Sequence, residues 1–228
     1  MVLEYIIREL VDPRVREFKE GYSLICEAIP WSERGPKQQF VETLDAKKKG
    51  LLGEDNYHFI TATTQNKVSG VATGYYISSL NMGFVNNMVI GKELRGKGLG
   101  AFLRNSLVSL FKEDSAKRNK TLDAVLGEVE EKNPWLGKLT KELGVKVFGF
   151  SYVQPPVQES SPAKKLCLYI QPIGRSFDDM TKPQTIQIVR KIYKNIYDLT
   201  KPETNHYYKK ILEGIKSEKY IFAKGLRR

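Results

Sequence analysis

One segment of the chain has residue types and spacing that point to anion binding: Gly91-Lys92-Glu93-Leu94-Arg95-Gly96-Lys97-Gly98-Leu99-Gly100-Ala101. It stands between a stretch with strand character and an amphipathic one. Glycines let a main chain approach a ligand without Cβ clashes. N–H groups in such a loop, together with a helix start, form a site whose usual occupant is phosphate. Three motifs overlap here. Gly91 to Lys97 follows a Walker A loop, but Gly98 stands where Ser or Thr should hold magnesium. Gly96-Lys97-Gly98-Leu99-Gly100-Ala101 fits the dinucleotide pattern, which needs its first glycine directly after a strand of a βαβ unit. The strand before this loop ends near Ile90, and the strands preceding it read as antiparallel. The third pattern, Arg-x-x-Gly-x-Gly-Ala, is met by Arg95, Gly98, Gly100 and Ala101.

Other chemistries have little to draw on. Cys26 and Cys167 are the only cysteines, and His58 and His206 the only histidines. Zinc fingers, Cys-His clusters and disulfide scaffolds are excluded, and no metal is expected. A Ser-His-Asp scheme would depend on one of these imidazoles, neither in a nucleophile-like context. Cys167, in the apolar run Leu166-Cys167-Leu168-Tyr169, reads as a buried thiol.

The 228 residues, 41% hydrophobic and 28% charged, are an ordinary globular mix able to bury a core. The first residues, Met1-Val2-Leu3-Glu4-Tyr5, lack a basic region followed by an apolar one. No apolar run approaches the roughly 20 residues of a membrane span. A soluble cytoplasmic protein with no membrane contact is expected, as a monomer or homodimer. The formal net charge is +11, and Thr181 to Arg228 holds 12 Lys and Arg against 4 Asp and Glu. Such a tail suits nucleic acid, an acidic partner or an anionic surface. It also suits a solvated helix face, because its charges are spread out.

The elements around the loop follow from periodicity. Met1 to Leu10 reads as a first strand. Val15, Phe18, Tyr22, Ile25 and Cys26 mark one helix, and Phe40, Val41 and Leu44 a second. Tyr57–Thr64, Val68–Ile77 and Met82–Ile90 read as an antiparallel meander, with a turn at Gln65-Asn66-Lys67. Leu99, Phe102, Leu103, Leu107, Leu110 and Phe111 lie on one helical face. Leu122–Val129 is strand-like and apolar. Asn133-Pro134 opens a helix that Gly144 ends. Phe148–Val153 and Lys165–Ile170 read as closing strands. Ile186, Val189, Tyr193 and Ile196 form one further helical stripe, and Tyr208, Ile211, Leu212 and Ile215 another. The expected organisation is a domain over 1–175 and a basic two-helix extension over 176–228, packed on it.

The Arg-x-x-Gly-x-Gly-Ala segment resembles the acyl-CoA pyrophosphate loop of the GNAT superfamily of N-acetyltransferases, and the element order is similar. So is a second signature: Glu128-Val129 at a strand end, Asn133, and a helix from Leu136 to Gly144. The resemblance covers roughly residues 2–172. It implies an α/β fold with a mixed, mostly antiparallel sheet, splayed at its fourth and fifth strands and flanked by helices. It implies acetyl-CoA as co-substrate. The backbone of Met88, Val89 and Ile90 would hold the pantetheine arm, with one N–H polarising the thioester carbonyl. The backbone of Arg95, Gly96, Lys97, Gly98, Leu99, Gly100 and Ala101 would cradle the pyrophosphate, and Asn133 would also approach the cofactor.

The reaction implied is direct attack of an amine on acetyl-CoA, with two substrates held in line and one proton managed. Glu128 and Glu130 alternate along one strand and should share a face. Burial and mutual repulsion would raise the pKa of at least one, as suits a general base. Some amino-terminal acetylases of the superfamily carry a base Glu where Glu128 stands. The sequence departs from the pattern at Thr140, where many relatives carry a Tyr that protonates the leaving thiolate. Water or another residue such as Tyr152 could supply that proton, although Tyr152 also reads as a core aromatic. The alternative is a non-catalytic acyl-CoA-binding or sensing module whose basic tail contacts nucleic acid or a protein.

Overall fold

The structure, a computed structural model, describes residues 4–223. The start of the expected first strand and the last residues of the basic tail lie outside that range. The chain divides into two compact units, the first closing at Leu122 and the second opening at Asp123.

The first unit is an antiparallel meander with helices. Strands β1 (Ile6–Leu10), β2 (Asn56–Thr64), β3 (Lys67–Ile77) and β4 (Met82–Ile90) pair in sequence order. β2 and β3 join through Gln65 and Asn66, both at positive φ, as a two-residue hairpin turn requires. Helices α1 (Arg16–Ala28) and α2 (Lys37–Lys48) bury Phe18, Ile25, Phe40 and Leu44 with Phe59 and Val71 of the sheet. Helix α3 (Leu99–Ala116) buries Leu99, Leu103, Leu107 and Phe111. Glycines let it approach closely: a Cβ on Gly83 would lie 2.1 Å from the Phe111 ring, and one on Gly70 2.6 Å from Leu103. That seating determines where the α3 N-terminus points.

β4 carries a bulge. Thr73 pairs with Asn87 and Gly74 with Val85, so Asn86 is the extra residue. Asn87 donates to the Thr73 hydroxyl at 3.0 Å, stabilising the bend just before Met88.

In the second unit, β5 (Ala124–Val129), β6 (Lys146–Val147) and β7 (Tyr152–Gln154) each pair antiparallel with β8 (Lys164–Pro172). The expected strand Phe148–Val153 is two short strands instead. Between them Phe148 bridges Phe222, with Gly149 N donating to Ile221 O at 2.8 Å and Ala223 N to Val147 O at 2.9 Å. Phe148 N still donates to Leu168 O of β8 at 3.0 Å, and pairing with β8 resumes at Tyr152, opposite Leu166, so residues 149–151 stand outside the β8 register. Helix α4 (Pro134–Leu143) ends at Gly144 in the left-handed region. Helix α5 (Lys182–Asn195) opens with a reciprocal Thr181–Gln184 capping box. Helix α6 (His206–Ser217) is capped by Asn205. Val189, Ile192, Tyr193, Tyr208, Ile211 and Ile215 are almost wholly buried, so residues 176–223 contribute core to this unit. Cys167 is only partly buried rather than buried as expected, and both cysteines are free.

Candidate active site

The glycine loop extends from β4 to α3 in the first unit. Leu94 and Leu99 are buried and anchor it, whereas Arg95, Gly96, Lys97 and Gly98 between them are exposed. Gly91 N donates to Ser69 O at 2.9 Å, and Arg95 Nε reaches Ile90 O at 3.3 Å, tying the loop to the sheet. Gly96 and Gly98 have φ of +77° and +86°, where an L-residue is strained. Gly98 is the N-cap, and Phe102 N donates back to Gly98 O at 3.1 Å. By helix geometry the N–H groups of Leu99, Gly100 and Ala101 then lack intrahelical acceptors. Open space surrounds the Cβ positions of Gly96 and Gly98. Arg95 N and Lys97 N donate within the loop, to Lys92 O and Leu94 O, each at 3.4 Å. The exposed glycines Gly96 and Gly98, the positive helix end and two cationic side chains can receive a diphosphate. Met88, Val89 and Ile90, after the bulge, pair with Ala72, Val71 and Gly70.

In the second unit, Glu128 lies one residue from the end of β5, paired with Leu168, while Tyr152 opens β7 paired with Leu166. Residues 166 and 168 of β8 share a face, because strand side chains alternate. The register therefore places Glu128 and Tyr152 on one side. The Tyr152 hydroxyl donates to Glu128 Oε1, and the Tyr197 hydroxyl donates to Oε2. Tyr152 is fully buried, whereas Glu128 and Tyr197 keep part of their surface. Burial pushes the Glu128 carboxyl up to about 7, against the two hydroxyl donors, which favour the ionised form. Both phenols are held well above their ordinary value, first by burial and then by the neighbouring carboxylate, so they stay protonated donors. Such a carboxylate is half-ionised near neutral pH and can take a proton.

The other sequence-derived residues are placed differently. Glu130 falls just past β5, exposed, in an ion pair with Lys164. Asn133 is exposed; its Oδ1 accepts from Trp135 N at 3.0 Å as the α4 N-cap, which leaves its Nδ2 hydrogens as donors. The Thr140 hydroxyl donates to the carbonyls of Leu136 at 3.1 Å and Gly137 at 3.0 Å, so it is spent on its own helix. Tyr197 was not among the residues singled out in the sequence. Its only local signal is the i, i+4 spacing from Tyr193, and the partner that gives it meaning is 69 positions away.

A further polar cluster lies in the first unit. His58, buried on β2, has Nδ1 2.7 Å from Glu9 Oε1 and Nε2 2.7 Å from Asp114 Oδ2. Lys47 Nζ is 2.5 Å from the same Glu9 oxygen. Among the described residues no group of three or more His, Cys, Asp or Glu side chains could hold a metal ion. No helix among them is long and apolar enough to cross a membrane.

The family model of the GNAT acetyltransferases matches residues 19–144, more than half of the chain. The chain belongs to the GNAT family: it is an acyl-CoA-dependent acetyltransferase that uses acetyl-CoA and binds an acceptor. No curated protein matches its sequence. Among solved structures, a GNAT-family protein of Bacteroides thetaiotaomicron has a TM-score of 0.63 at 16% identity, covering 86% of this chain and 99% of that one. The ribosomal-protein-S18-alanine N-acetyltransferase of Escherichia coli has a TM-score of 0.51 at 14% identity, covering 78% and 99%. A Salmonella typhimurium protein of proposed acetyltransferase activity, solved with acetyl-CoA, has a TM-score of 0.53 at 18% identity, covering 76% and 96%. At such identities these likenesses show the fold, which is the α/β fold with mostly antiparallel strands that the sequence implied.

Proposed function

We propose that the chain is an N-acetyltransferase that moves acetyl directly from acetyl-CoA to a primary amine, with Glu128 as general base. The observation that carries this reading is the Glu128 carboxyl, on a residue that keeps part of its surface, gripped by two phenol hydroxyls and raised to about 7. A base poised near the working pH combines availability with driving force. An alkylammonium gives its proton to the Glu128 carboxylate. The freed nitrogen attacks the thioester carbonyl carbon; a C–N bond forms, the C–S bond breaks, and the nitrogen's second proton ends on the departing sulfur. The exposed glycines Gly96 and Gly98 and the N-terminal amides of α3 support a role for the backbone of Arg95 to Ala101 in holding the pyrophosphate. The backbone of Met88, Val89 and Ile90 is assigned to the pantetheine, and the Asn133 amide to the cofactor. Glu130, engaged with Lys164, is the weaker candidate for proton transfer.

One observation favours the non-catalytic reading: the Thr140 hydroxyl is occupied by backbone carbonyls and offers no acid. The test is thiol release from acetyl-CoA across a panel of primary amines, with mass spectrometry of the acceptors. At least one amine should gain 42 Da with stoichiometric thiol. Tight CoA binding without any acetylated amine would support the sensing module instead.

A further inference from the structure

Each oxygen of the Glu128 carboxylate is taken by a different tyrosine: Oε1 by Tyr152 and Oε2 by Tyr197. Tyr152 comes from β7 and Tyr197 from the turn after α5, and both lie beyond the residues 19–144 that the family model matches. The turn is built to deliver Tyr197. Tyr197 N donates to Ile192 O and Leu199 N to Tyr193 O, with Asp198 at a positive φ of 52°. This prolongs the α5 face, so Tyr193 and Tyr197 stay neighbours, their rings 5.7 Å apart and edge-on. The Tyr193 ring, fully buried, also meets Tyr152 at 6.4 Å and Tyr208 at 5.4 Å. Its own hydroxyl is turned away, donating to Val153 O. Tyr193 is thus a strut between the two donor rings. Among the described residues the titratable groups bonded to the Glu128 carboxyl are Tyr152 and Tyr197, and Glu130 is committed to Lys164.

A carboxylate bonded at one oxygen can still rotate. Held at both oxygens by rings that are themselves packed, it cannot. Resting on the reading of Glu128 as the base, we propose that Tyr197, with Tyr152, is a positioning residue that fixes the Glu128 carboxylate for proton abstraction. The segment after α5 is then a working part of the catalytic apparatus.

The two hydroxyls stabilise the ionised carboxylate and burial opposes it. Removing one donor leaves burial less opposed, so the carboxyl becomes harder to ionise. The test is a titration of the Glu side-chain carboxyls by 13C NMR in the full-length protein, with Glu128→Gln identifying the Glu128 signal. Tyr197→Phe and Tyr152→Phe should each move its midpoint upward by about one pH unit, the scale of a lost hydrogen bond to a charged group. Tyr193→Phe, which removes a hydroxyl that does not touch Glu128, should leave the midpoint in place. A Tyr197→Phe midpoint equal to that of the unsubstituted protein overturns the inference. So does an equal movement in Tyr193→Phe, which would mark a packing effect. Should Tyr197→Phe fail to fold, 3-fluorotyrosine at position 197 keeps the ring's shape and donates more strongly. It should lower the midpoint, and no movement would again overturn the inference. The titration needs no acceptor, so its failure leaves acetyl transfer untouched. Conversely, a moving midpoint with no acetylated amine would sink the proposed function alone.

Discussion

In the proposed mechanism two residues carry the chemistry in opposite ways. Glu128 acts through its side chain, and its usefulness comes from a balance: burial raises its pKa while two phenols limit the rise. Gly98 acts by having no side chain. At φ +86° it turns the chain into α3, whose first N–H groups have no intrahelical acceptors, with open space where its own Cβ would stand. An alanine there would adopt the left-handed region at a cost of about 1–2 kcal/mol or abandon it. Either outcome disturbs the amides, and the new methyl would occupy the approach to them. Gly98→Ala is therefore expected to weaken coenzyme A binding about tenfold, equivalent to about 1.4 kcal/mol, as read by isothermal calorimetry. Unchanged affinity would mean that the loop's amides do not contact the ligand.

At the scale of elements, His58 fastens the first unit together. Its imidazole on β2 meets Glu9 from β1 and Asp114 from α3, and Lys47 from α2 joins at Glu9. Burial works against charge on all three acid–base groups, but the hydrogen bonds prevail. His58 is raised above its ordinary value, and Glu9 and Asp114 are lowered to about 2. The signs follow from linkage. The raised histidine contributes stability that is complete below its unfolded value near 6.5 and is lost as pH rises through the folded value. The lowered acids contribute stability present above their ordinary values of 4.5 and 3.8 and lost as pH falls toward 2. The cluster is therefore worth most between about pH 4.5 and 6.5. His58→Leu would remove the hydrogen-bonding imidazole from between two carboxylates that keep Lys47 and Lys117 as partners, costing about 1–3 kcal/mol. Urea denaturation should show that loss at pH 5.5 and a smaller one at pH 9. A loss independent of pH would mean that His58 only fills space.

At the scale of the whole molecule, the C-terminal residues change meaning. Their basic composition reads as a tail, yet Val189, Tyr193, Tyr208 and Ile215 are core, and the described chain ends pairing with Val147 and Gly149. Deleting 176–228 is expected to unfold the second unit rather than trim it, with loss of helix and strand signal in circular dichroism beyond that of α5 and α6. A well-folded truncation would restore the picture of an appendage. The glycine loop, the meander and the α4 cap at Asn133 were legible because each is coded within a few neighbouring residues. The Glu128 site was legible only in part. Glu128 itself stands in a local motif, but its tyrosine partners are 24 and 69 positions away, and no local period records such a contact. The break around Phe148 has the same cause: three residues, 149–151, fall outside the β8 register, and alternation along the segment does not record a register set by a distant strand.

The most direct test of the central claim is the pH dependence of kcat/KM for acetyl transfer, measured with the best amine of the panel in the unsubstituted protein and in Glu128→Gln. With Glu128 as base, the rate should climb as pH rises through about 7. The variant should lose about 10²–10⁴-fold, as removal of a general base does, together with that rising limb. A Glu128→Gln enzyme as fast as the unsubstituted one, with the same limb, would contradict it.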